Sequence, residues 1–148
     1  MKTQEVKLQS LKVKRNVNEI IIHCTATPAG REVSVAEIDR WHRERGFNSI
    51  GYHYVIHADG TVEAGRPESV AGAHCRGHNA RSVGVVYVGG VNARGKPEDT
   101  RTAAQRESLL VLVRKLKERY PGAMIHGHCE FAAKACPCFN AAQEYAGL

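Results

Sequence analysis

The sequence has few aromatic residues and no long hydrophobic run. Aromatic side chains make up 6% of its 148 residues, and the longest unbroken run of aliphatic side chains, residues 109–113, has five members. A membrane-spanning helix needs about 20 apolar residues in succession, so no such helix is expected. The basic N-terminus has neither a continuous apolar stretch nor a small-residue cleavage site, so a secretory signal is not expected either. These absences predict synthesis in the cytoplasm, with any export by another route.

The length fits one domain preceded by a basic segment. The chain is 43% hydrophobic and 24% charged, which is ordinary globular composition at a size that supports a single core. Residues 1–17 contain five Lys and Arg residues but one acidic residue, Glu5, so they carry +4 of the total charge of +6. We predict a basic N-terminal segment, residues 1–17, followed by a folded domain, residues 18–148.

The N-terminal segment has two interpretations. Val6 and Leu8, and then Leu11 and Val13, alternate with polar residues, which favours a solvated edge strand. The charge of the segment also suits a polyanion such as nucleic acid, anionic cell wall or a membrane surface. The alternation makes the edge strand the favoured interpretation, and a nucleic-acid partner is not expected.

Cysteine and histidine are frequent in this chain. It has five cysteines, an odd number, and eight histidines. An odd cysteine count in a chain without a predicted secretory signal argues against a disulfide framework and for reduced thiols, some of which could bind a metal. A metal site is therefore the leading functional hypothesis.

Strand-like and helix-like segments alternate along the chain. Ser34 and Thr102 begin the patterns Ser-x-x-Glu and Thr-x-x-Gln, which mark helix starts. The Asp59-Gly60 pair between two apolar runs predicts a hairpin turn. The predicted fold class is α/β, a single domain with a central mixed β-sheet flanked by helices. The predicted elements are strand 19–24, helix 35–45, a hairpin over 52–64, strand 83–88, a helix that begins after Thr102 and ends at Pro121, strand 123–128 and a short C-terminal helix.

Three potential metal ligands lie at the ends of different predicted elements. His23 lies near the end of the first strand, His128 ends the last strand, and Cys136 follows in an irregular Cys-rich loop. A catalytic zinc takes three protein ligands and leaves a fourth position open, whereas a structural zinc is closed by four. A closed structural site in the last third of the chain is the alternative, although it leaves His23 unexplained. Its members would be drawn from His126, His128, Cys129, Cys136 and Cys138.

Six separated motifs carry a family resemblance. They are IHCTAT at 22–27, GYHY at 51–54, DGTVEAGR at 59–66, AHCRGHN at 73–79, SVGV at 82–85 and, within 128–137, KACP. Together they resemble the zinc-dependent N-acetylmuramoyl-L-alanine amidases of the type-2 class, the superfamily of the T-odd phage lysozymes and the peptidoglycan recognition proteins. The resemblance runs in order from about residue 18 to residue 140. Agreement of six motifs is strong evidence where any single one is weak.

The resemblance implies a fold, an activity and a metal. The fold is that of the phage amidases and peptidoglycan recognition proteins, and the reaction is hydrolysis of the amide between the lactyl group of N-acetylmuramic acid and L-alanine. His23, His128 and Cys136 match the ligands of one Zn²⁺ per chain. Tyr52 matches the active-site tyrosine and Lys134 the catalytic lysine of the phage enzymes. Either of these two could handle the proton that the leaving nitrogen needs.

The resemblance also implies a substrate groove. His74 and Asn79 fall where the family lines its muropeptide groove, so both are predicted substrate contacts. Two positions depart from the family pattern: His78 stands where Tyr is common, and Cys138 stands where the phage enzymes have a small polar residue. Cys138 is expected to be a buried or reactive thiol, and if it bound the metal the open position would be lost.

Other functions of this fold are open at this point. The chain could be a peptidoglycan-binding module without activity, but members of that kind typically lose the thiolate ligand, and Cys136 is present here. A cytoplasmic amidase that recycles muropeptides fits the same residues. The small size favours a phage or prophage endolysin that acts on the cell wall after release. A phage RNA polymerase is a further partner that the resemblance offers.

Overall fold

Seven strands and three helices make up the described part of the chain, residues 6–11 and 14–148 of a computed structural model. No helix in those residues is long and apolar enough to cross a bilayer. Two single 3₁₀ turns, Asn79–Arg81 and His128–Glu130, lie beside the strands. In chain order the elements are β1 (Glu19–Cys24), β2 (Thr27–Pro28), α1 (Val35–Glu44), β3 (Tyr54–Ile56), β4 (Val62–Ala64), β5 (Ser82–Tyr87), β6 (Gly90–Val91), α2 (Ala103–Arg119), β7 (Met124–Gly127) and α3 (Ala141–Glu144).

The main sheet has five strands in the order β4-β3-β5-β1-β7. β1 pairs in parallel with β5 and β7, β3 pairs in parallel with β5, and the hairpin strand β4 is antiparallel to β3. The four parallel strands therefore end at the same edge of the sheet, which is where α/β proteins place their ligands. His23 is the penultimate residue of β1 and His128 directly follows β7. The predicted mixed sheet flanked by helices is confirmed.

Helices cover both faces of this sheet. Val85 of β5 packs in a buried cluster with Leu112 of α2, whereas Val86 packs in a second cluster with Ile38 of α1. His23 is paired in register with Val86, and paired residues of neighbouring strands share a face. The His23 side chain therefore lies on the α1 side of the sheet, and Cys24, the next residue, lies on the α2 side.

Both predicted helix starts are present. The Ser34 hydroxyl accepts the backbone N–H of Glu37 at 3.0 Å, and Thr102 and Gln105 form a complete capping box at the start of α2. The predicted hairpin is confirmed, although its strands are shorter than the predicted span. Gly60, at the turn, has φ of +90°, a conformation that glycine adopts without strain.

The N-terminal segment packs against the domain. Val6 is 2% exposed within the cluster that includes α2, and Arg15 donates to the carbonyl oxygens of Glu68 and Ser82 at 3.0 Å each. No strand forms in residues 6–11 or 14–17. A reason is visible at Gln9, whose backbone N–H donates to the Tyr54 hydroxyl instead of to a neighbouring strand. Val13, part of the alternation that favoured an edge strand, lies outside the described residues.

A buried carboxylate joins this segment to the core. The Glu68 residue is fully buried, and its Oε2 accepts from Nη1 of Arg119 at 2.9 Å. The hydroxyls of Tyr54 and Tyr120 also donate to the carboxylate. Arg119 donates in addition to the carbonyl of Gln9 at 2.8 Å. The charge of Glu68 is thus paired and hydrogen-bonded, as a buried charge must be.

Candidate active site and metal centre

Three side chains that can bind a metal converge at the carboxyl edge of the sheet. One ligand atom from each of His23, His128 and Cys136 lies within 4.8 Å of the other two. His23 is 1% exposed, whereas His128 and Cys136 are partly buried. In residues 6–11 and 14–148, this is the one group of three or more His, Cys, Asp or Glu side chains with the spacing to hold an ion. Imidazole nitrogen and thiolate sulfur are donors that suit Zn²⁺.

The two ring nitrogens of His23 have different neighbours. Nδ1 lies 3.9 Å from Sγ of Cys136, and Nε2 lies 2.8 Å from Nδ1 of His74. Nδ1 is therefore the nitrogen on the side of the ligand group. Burial, reinforced by His74 and His128, holds the pKa of His23 well below its ordinary value. The ring is a neutral base with a lone pair available for an ion.

The pKa of each of the other two members of the group is shifted toward the form that binds a metal. The pKa of Cys136 is lowered by a hydrogen bond from the Cys24 thiol, against the effect of burial, and the charge of Lys134 acts in the same lowering direction. The backbone N–H of Cys24 donates to the same sulfur at 3.2 Å. Burial and Lys134 lower the pKa of His128. A thiolate and a neutral imidazole are the forms that bind metals.

His74 lies against His23 and also lines the groove. It is 9% exposed, and its Nε2 lies 3.1 Å from the Ser82 hydroxyl. Space for the ring comes from Gly84 of β5, where a Cβ atom would lie 2.6 Å from ring atoms of His74. A chain of side chains thus runs from Ser82 through His74 to His23.

Asn79 shapes the turn that carries His74. Its Oδ1 accepts the backbone N–H groups of His74 and Cys75, both at 2.9 Å. Both His74 and Asn79 line the groove that opens over the ligand group. Their predicted substrate contacts stay predictions, and the hydrogen bonds give each residue a supporting position as well.

Tyr52 and Lys134 lie on the groove walls beside the ligand group. The ring centroid of Tyr52 is 5.0 Å from that of His23. Burial raises the pKa of Tyr52, so its hydroxyl stays protonated at neutral pH and can donate. Lys134 is exposed, yet close enough for its charge to lower the pKa of both His128 and Cys136. The structure therefore brings both residues to the ligand group.

The groove has a volume of about 640 Å³, within the range of small-molecule sites. The sequence did not predict Arg45 and Phe47 as lining residues, because single Arg and Phe residues outside a motif are ordinary surface residues. The one available signal was their position on either side of Gly46, at the end of the predicted helix. The charged and aromatic side chains that line it are Arg45, Phe47, Tyr52, Arg76, Phe131 and Lys134.

The closed cluster considered as an alternative does not form. The strand predicted to run to residue 128 ends at Gly127, and His128 begins a 3₁₀ turn. His126 instead lies 3.0 Å from the Glu130 carboxylate. Cys129 is exposed. These positions separate His126 and Cys129 from the ligand group.

Cys138 is not a member of the ligand group either. Its Sγ lies 3.9 Å from Sγ of Cys24, on the α2 side of the sheet. Burial raises the pKa of Cys138 to about 12. The sequence predicts Cys138 to be a buried or reactive thiol rather than a ligand; in the structure it is partly buried and lies outside the ligand group.

Two further histidines near the site accept hydrogen bonds from backbone N–H groups. His53 is fully buried, its Nδ1 accepts the Gly84 N–H at 3.0 Å, and its Nε2 lies 2.8 Å from the carbonyl oxygen of Val70. Nδ1 of His42 accepts the Gly51 N–H at 2.8 Å. Burial lowers the pKa of each to about 4. His53 is thus a core histidine with a partner at each ring nitrogen.

The family follows from comparison of the whole sequence with known families. The family model described as N-acetylmuramoyl-L-alanine amidase matches residues 13–139, well over half of the chain. The chain belongs to this amidase family. The resemblance and the enzyme class predicted from the six motifs are therefore confirmed.

The relatives of this amidase include phage proteins over nearly the same length. It is 46% identical over 127 residues to an endolysin of Klebsiella phage KP32, covering 86% of this chain and 84% of that protein. It is 44% identical over 129 residues to the endolysin of Escherichia phage T7, covering 87% and 85%. The solved structure of N-acetylmuramoyl-L-alanine amidase LysC from Clostridium intestinale URNW matches with a TM-score of 0.74 at 32% identity, covering 88% of this chain and 83% of that chain.

Proposed function

We propose that this chain is a phage or prophage endolysin that hydrolyses the amide between the lactyl group of N-acetylmuramic acid and the L-alanine of peptidoglycan stem peptides. The observation that carries the proposal is the ligand group of His23, His128 and Cys136, whose ligand atoms lie within 4.8 Å of one another. His128 and Cys136 line a groove that Tyr52 and Lys134 also line. The family relatives named endolysin and amidase support the same reaction.

One Zn²⁺ is the ion that this donor set fits. His23 and His128 supply two imidazole nitrogens and Cys136 supplies a thiolate, which is the three-ligand pattern of catalytic zinc. Cys138 faces Cys24, away from the group, so it leaves a coordination position for water or substrate. When bound, such an ion supplies Lewis acidity, which activates water and polarises an amide carbonyl.

The protein side chains supply the remaining chemistry. As the amide carbonyl becomes tetrahedral, its oxygen gains negative charge, and the Lys134 ammonium on the groove wall stabilises that charge. The neutral Tyr52 hydroxyl orients the attacking water or passes a proton to the leaving nitrogen. Both residues act on the open side of the ligand group, where a stem peptide can reach.

His74 supports the ligand geometry from behind. With a proton on Nε2 of His23 directed at Nδ1 of His74, the Nδ1 lone pair of His23 would be left to hold the ion. Outer hydrogen bonds of this kind fix the tautomer and orientation of metal-binding imidazoles. His74 and Asn79 also form part of the groove wall, and we assign substrate contact to that wall.

The test is metal analysis of the purified chain combined with mass spectrometry of digested peptidoglycan. One zinc per chain and products with a free lactyl carboxylate and a free L-alanine amine are expected. Cys136→Ala should abolish both, while the control Cys129→Ala, at an exposed cysteine outside the ligand group and the groove lining, should keep both. A metal-free active enzyme, or cleavage at another bond, would refute the proposal.

The substrate form separates the endolysin from a recycling amidase. An endolysin opens intact sacculi, whereas a recycling enzyme acts on soluble anhydro-muropeptides. Cleavage of soluble fragments with no action on sacculi would exclude the endolysin role. A peptidoglycan-binding module without activity would bind sacculi and release nothing.

A phage polymerase as a second partner stays a prediction. Deleting residues 1–17 and measuring sacculus hydrolysis, polymerase binding and salt-dependent DNA binding would test it. DNA binding through the basic segment would fall steeply with salt.

A further inference from the structure

Two cysteines outside the ligand group lie against each other. Sγ of Cys24 is 3.9 Å from Sγ of Cys138. Cys24 is 4% exposed at the end of β1, and Cys138 is partly buried in the loop that follows Cys136. A disulfide bond requires the sulfurs to approach to about 2.05 Å, a further movement of about 2 Å that side-chain rotation and a small loop shift can supply.

The backbone brings the two thiols to the same place. Cys138 has φ of +71°, one of two non-glycine residues in the described chain with positive φ. Its Sγ lies 3.4 Å from the carbonyl oxygen of Gly90, and a Cβ atom at Gly90 would lie 2.6 Å from Sγ of Cys24. The absence of a side chain at Gly90 therefore leaves room for the sulfur of Cys24, next to the carbonyl that Cys138 contacts.

We propose that Cys24 and Cys138 are a disulfide-forming pair, oxidised by a low-molecular-weight disulfide such as oxidised glutathione, while Cys136 stays a thiolate for the metal. The proposal does not depend on the amidase reaction. The bond would tie the strand end that carries His23 to the loop that carries Cys136.

The reaction balances as two thiol–disulfide exchanges. The sulfur of Cys138, the more accessible of the two, attacks one glutathione sulfur after losing its proton, and the first glutathione thiolate leaves. The sulfur of Cys24 then attacks Sγ of the mixed disulfide at Cys138 and expels the second glutathione. The two cysteines lose two electrons and two protons, and oxidised glutathione takes them up as two molecules of reduced glutathione.

Cys136 is the competing thiol, because it also neighbours Cys24. Its sulfur belongs to the ligand group, so a bound ion removes it from exchange. Cys138 lies outside that group and has no such protection. Oxidation of the zinc-loaded chain should therefore select the pair formed by Cys24 and Cys138.

The experiment uses the zinc-loaded chain treated with oxidised glutathione, blocked by alkylation and digested with trypsin without reduction. We expect the peptide that contains Cys24 to be linked to the peptide that follows Lys134. That second peptide contains both Cys136 and Cys138, so fragmentation must show which of them carries the alkyl group. An alkylated Cys136 and a linked Cys138 support the proposal.

Thiol counting supplies a second measurement. In a Cys129→Ser background, which removes the exposed thiol, four of the five cysteines remain, and oxidation should lower the thiols found after unfolding from four to two. Adding Cys138→Ser should abolish that loss, whereas the matched change Cys75→Ser should not. Absence of the linked peptide, linkage to Cys136, or an unchanged loss in Cys138→Ser would overturn the proposal. The linked peptide is measured on the unmodified sequence, so a variant that fails to fold does not affect that result.

Discussion

Two regions of this protein bury polar side chains for opposite purposes. Around Glu68, a carboxylate is enclosed by one guanidinium and two phenols, so its charge is neutralised inside the protein. Around His23, imidazole nitrogens and the sulfur of Cys136 meet beside a groove that His128 and Cys136 line. The hydrogen bonds of the Glu68 cluster are complete within the protein, whereas the group around His23 retains lone pairs that can bind a metal ion.

Burial alone does not distinguish the functional region from the structural one. Among the described residues, no buried side-chain nitrogen or oxygen lacks a partner, so neither region is marked by an unsatisfied atom. The two regions differ in what their lone pairs contact. The carboxylate oxygens of Glu68 accept from Tyr54, Arg119 and Tyr120 inside the protein. Nδ1 of His23 instead lies toward Cys136, within the ligand group.

The largest effect is expected from removing a ligand. His23→Ala and Cys136→Ala should each lose zinc, and hydrolysis should fall by more than the roughly 100-fold that changes to outer hydrogen-bond partners produce. Metal stoichiometry and product release from sacculi measure this. Zinc retained in His23→Ala but lost in His126→Ala would instead point to the closed cluster.

The second effect concerns stability rather than activity. Glu68→Ala leaves Arg119 and two phenols without their acceptor, and breaking a buried ion pair in this way costs about 3–5 kcal/mol of unfolding free energy. Urea unfolding measures the change. Glu63 is an exposed carboxylate 2.8 Å from Nε2 of His57, and Glu63→Ala should shift stability by less than about 0.5 kcal/mol. A large loss of zinc affinity in folded Glu68→Ala would contradict the separation of the two regions.

A third change tests the groove wall without touching the ligands. Lys134→Ala should keep zinc and lower kcat by about 10²–10³, the usual effect of removing one group that stabilises an oxyanion. Lys96→Ala, at an exposed loop position, is the matched control and should leave kcat unchanged. Equal kcat in the two variants would exclude the proposed role of Lys134.

A smaller effect is expected behind the ligands. His74→Ala removes the acceptor at Nε2 of His23, and zinc affinity should fall about 10–100-fold, as for other outer partners of metal-binding histidines. His74→Asn returns an acceptor near the Nδ1 position and should recover most of the affinity. Competition with a chromogenic chelator measures both variants. If Asn and Ala weaken zinc equally, the hydrogen bond does not position His23.

The most gradual effect is on acid stability, because it develops over several pH units. The pKa of His42 and of His53 is about 4 in the folded chain, below the ordinary 6.5, so the unfolded chain binds protons first. Stability is full above pH 6.5 and is lost as pH falls toward 4, by about 1.4 kcal/mol per pH unit for each histidine. Urea midpoints between pH 7 and 5 should show this slope. His53→Gln should make it shallower, and an identical slope in both proteins would contradict the assignment.

The sequence predicted those parts of the molecule that depend on local pattern. The β-branched run before His23 and the caps at Ser34 and Thr102 determine where β1, α1 and α2 form, because burial and capping act over a few residues. The family motifs predicted that Tyr52 and Lys134 belong to the site, and both residues line the groove.

Contacts between distant parts of the chain could not be predicted from the sequence. The place of His74 behind His23 depends on a missing side chain at Gly84 in another strand. The contact of Cys138 with Cys24 depends on a left-handed backbone turn. The N-terminal alternation resembled a strand, yet Gln9 bonds to a tyrosine side chain instead. In each instance a three-dimensional neighbour decides the outcome.

The sheet has no space for a side chain at Gly84. A methyl group there would overlap the ring of His74, and the nearest relief for that ring is toward His23. In a saturation mutagenesis library selected for lysis, Gly84 should therefore reject replacement as strictly as the ligands themselves, although it offers neither charge nor donor atom to the substrate.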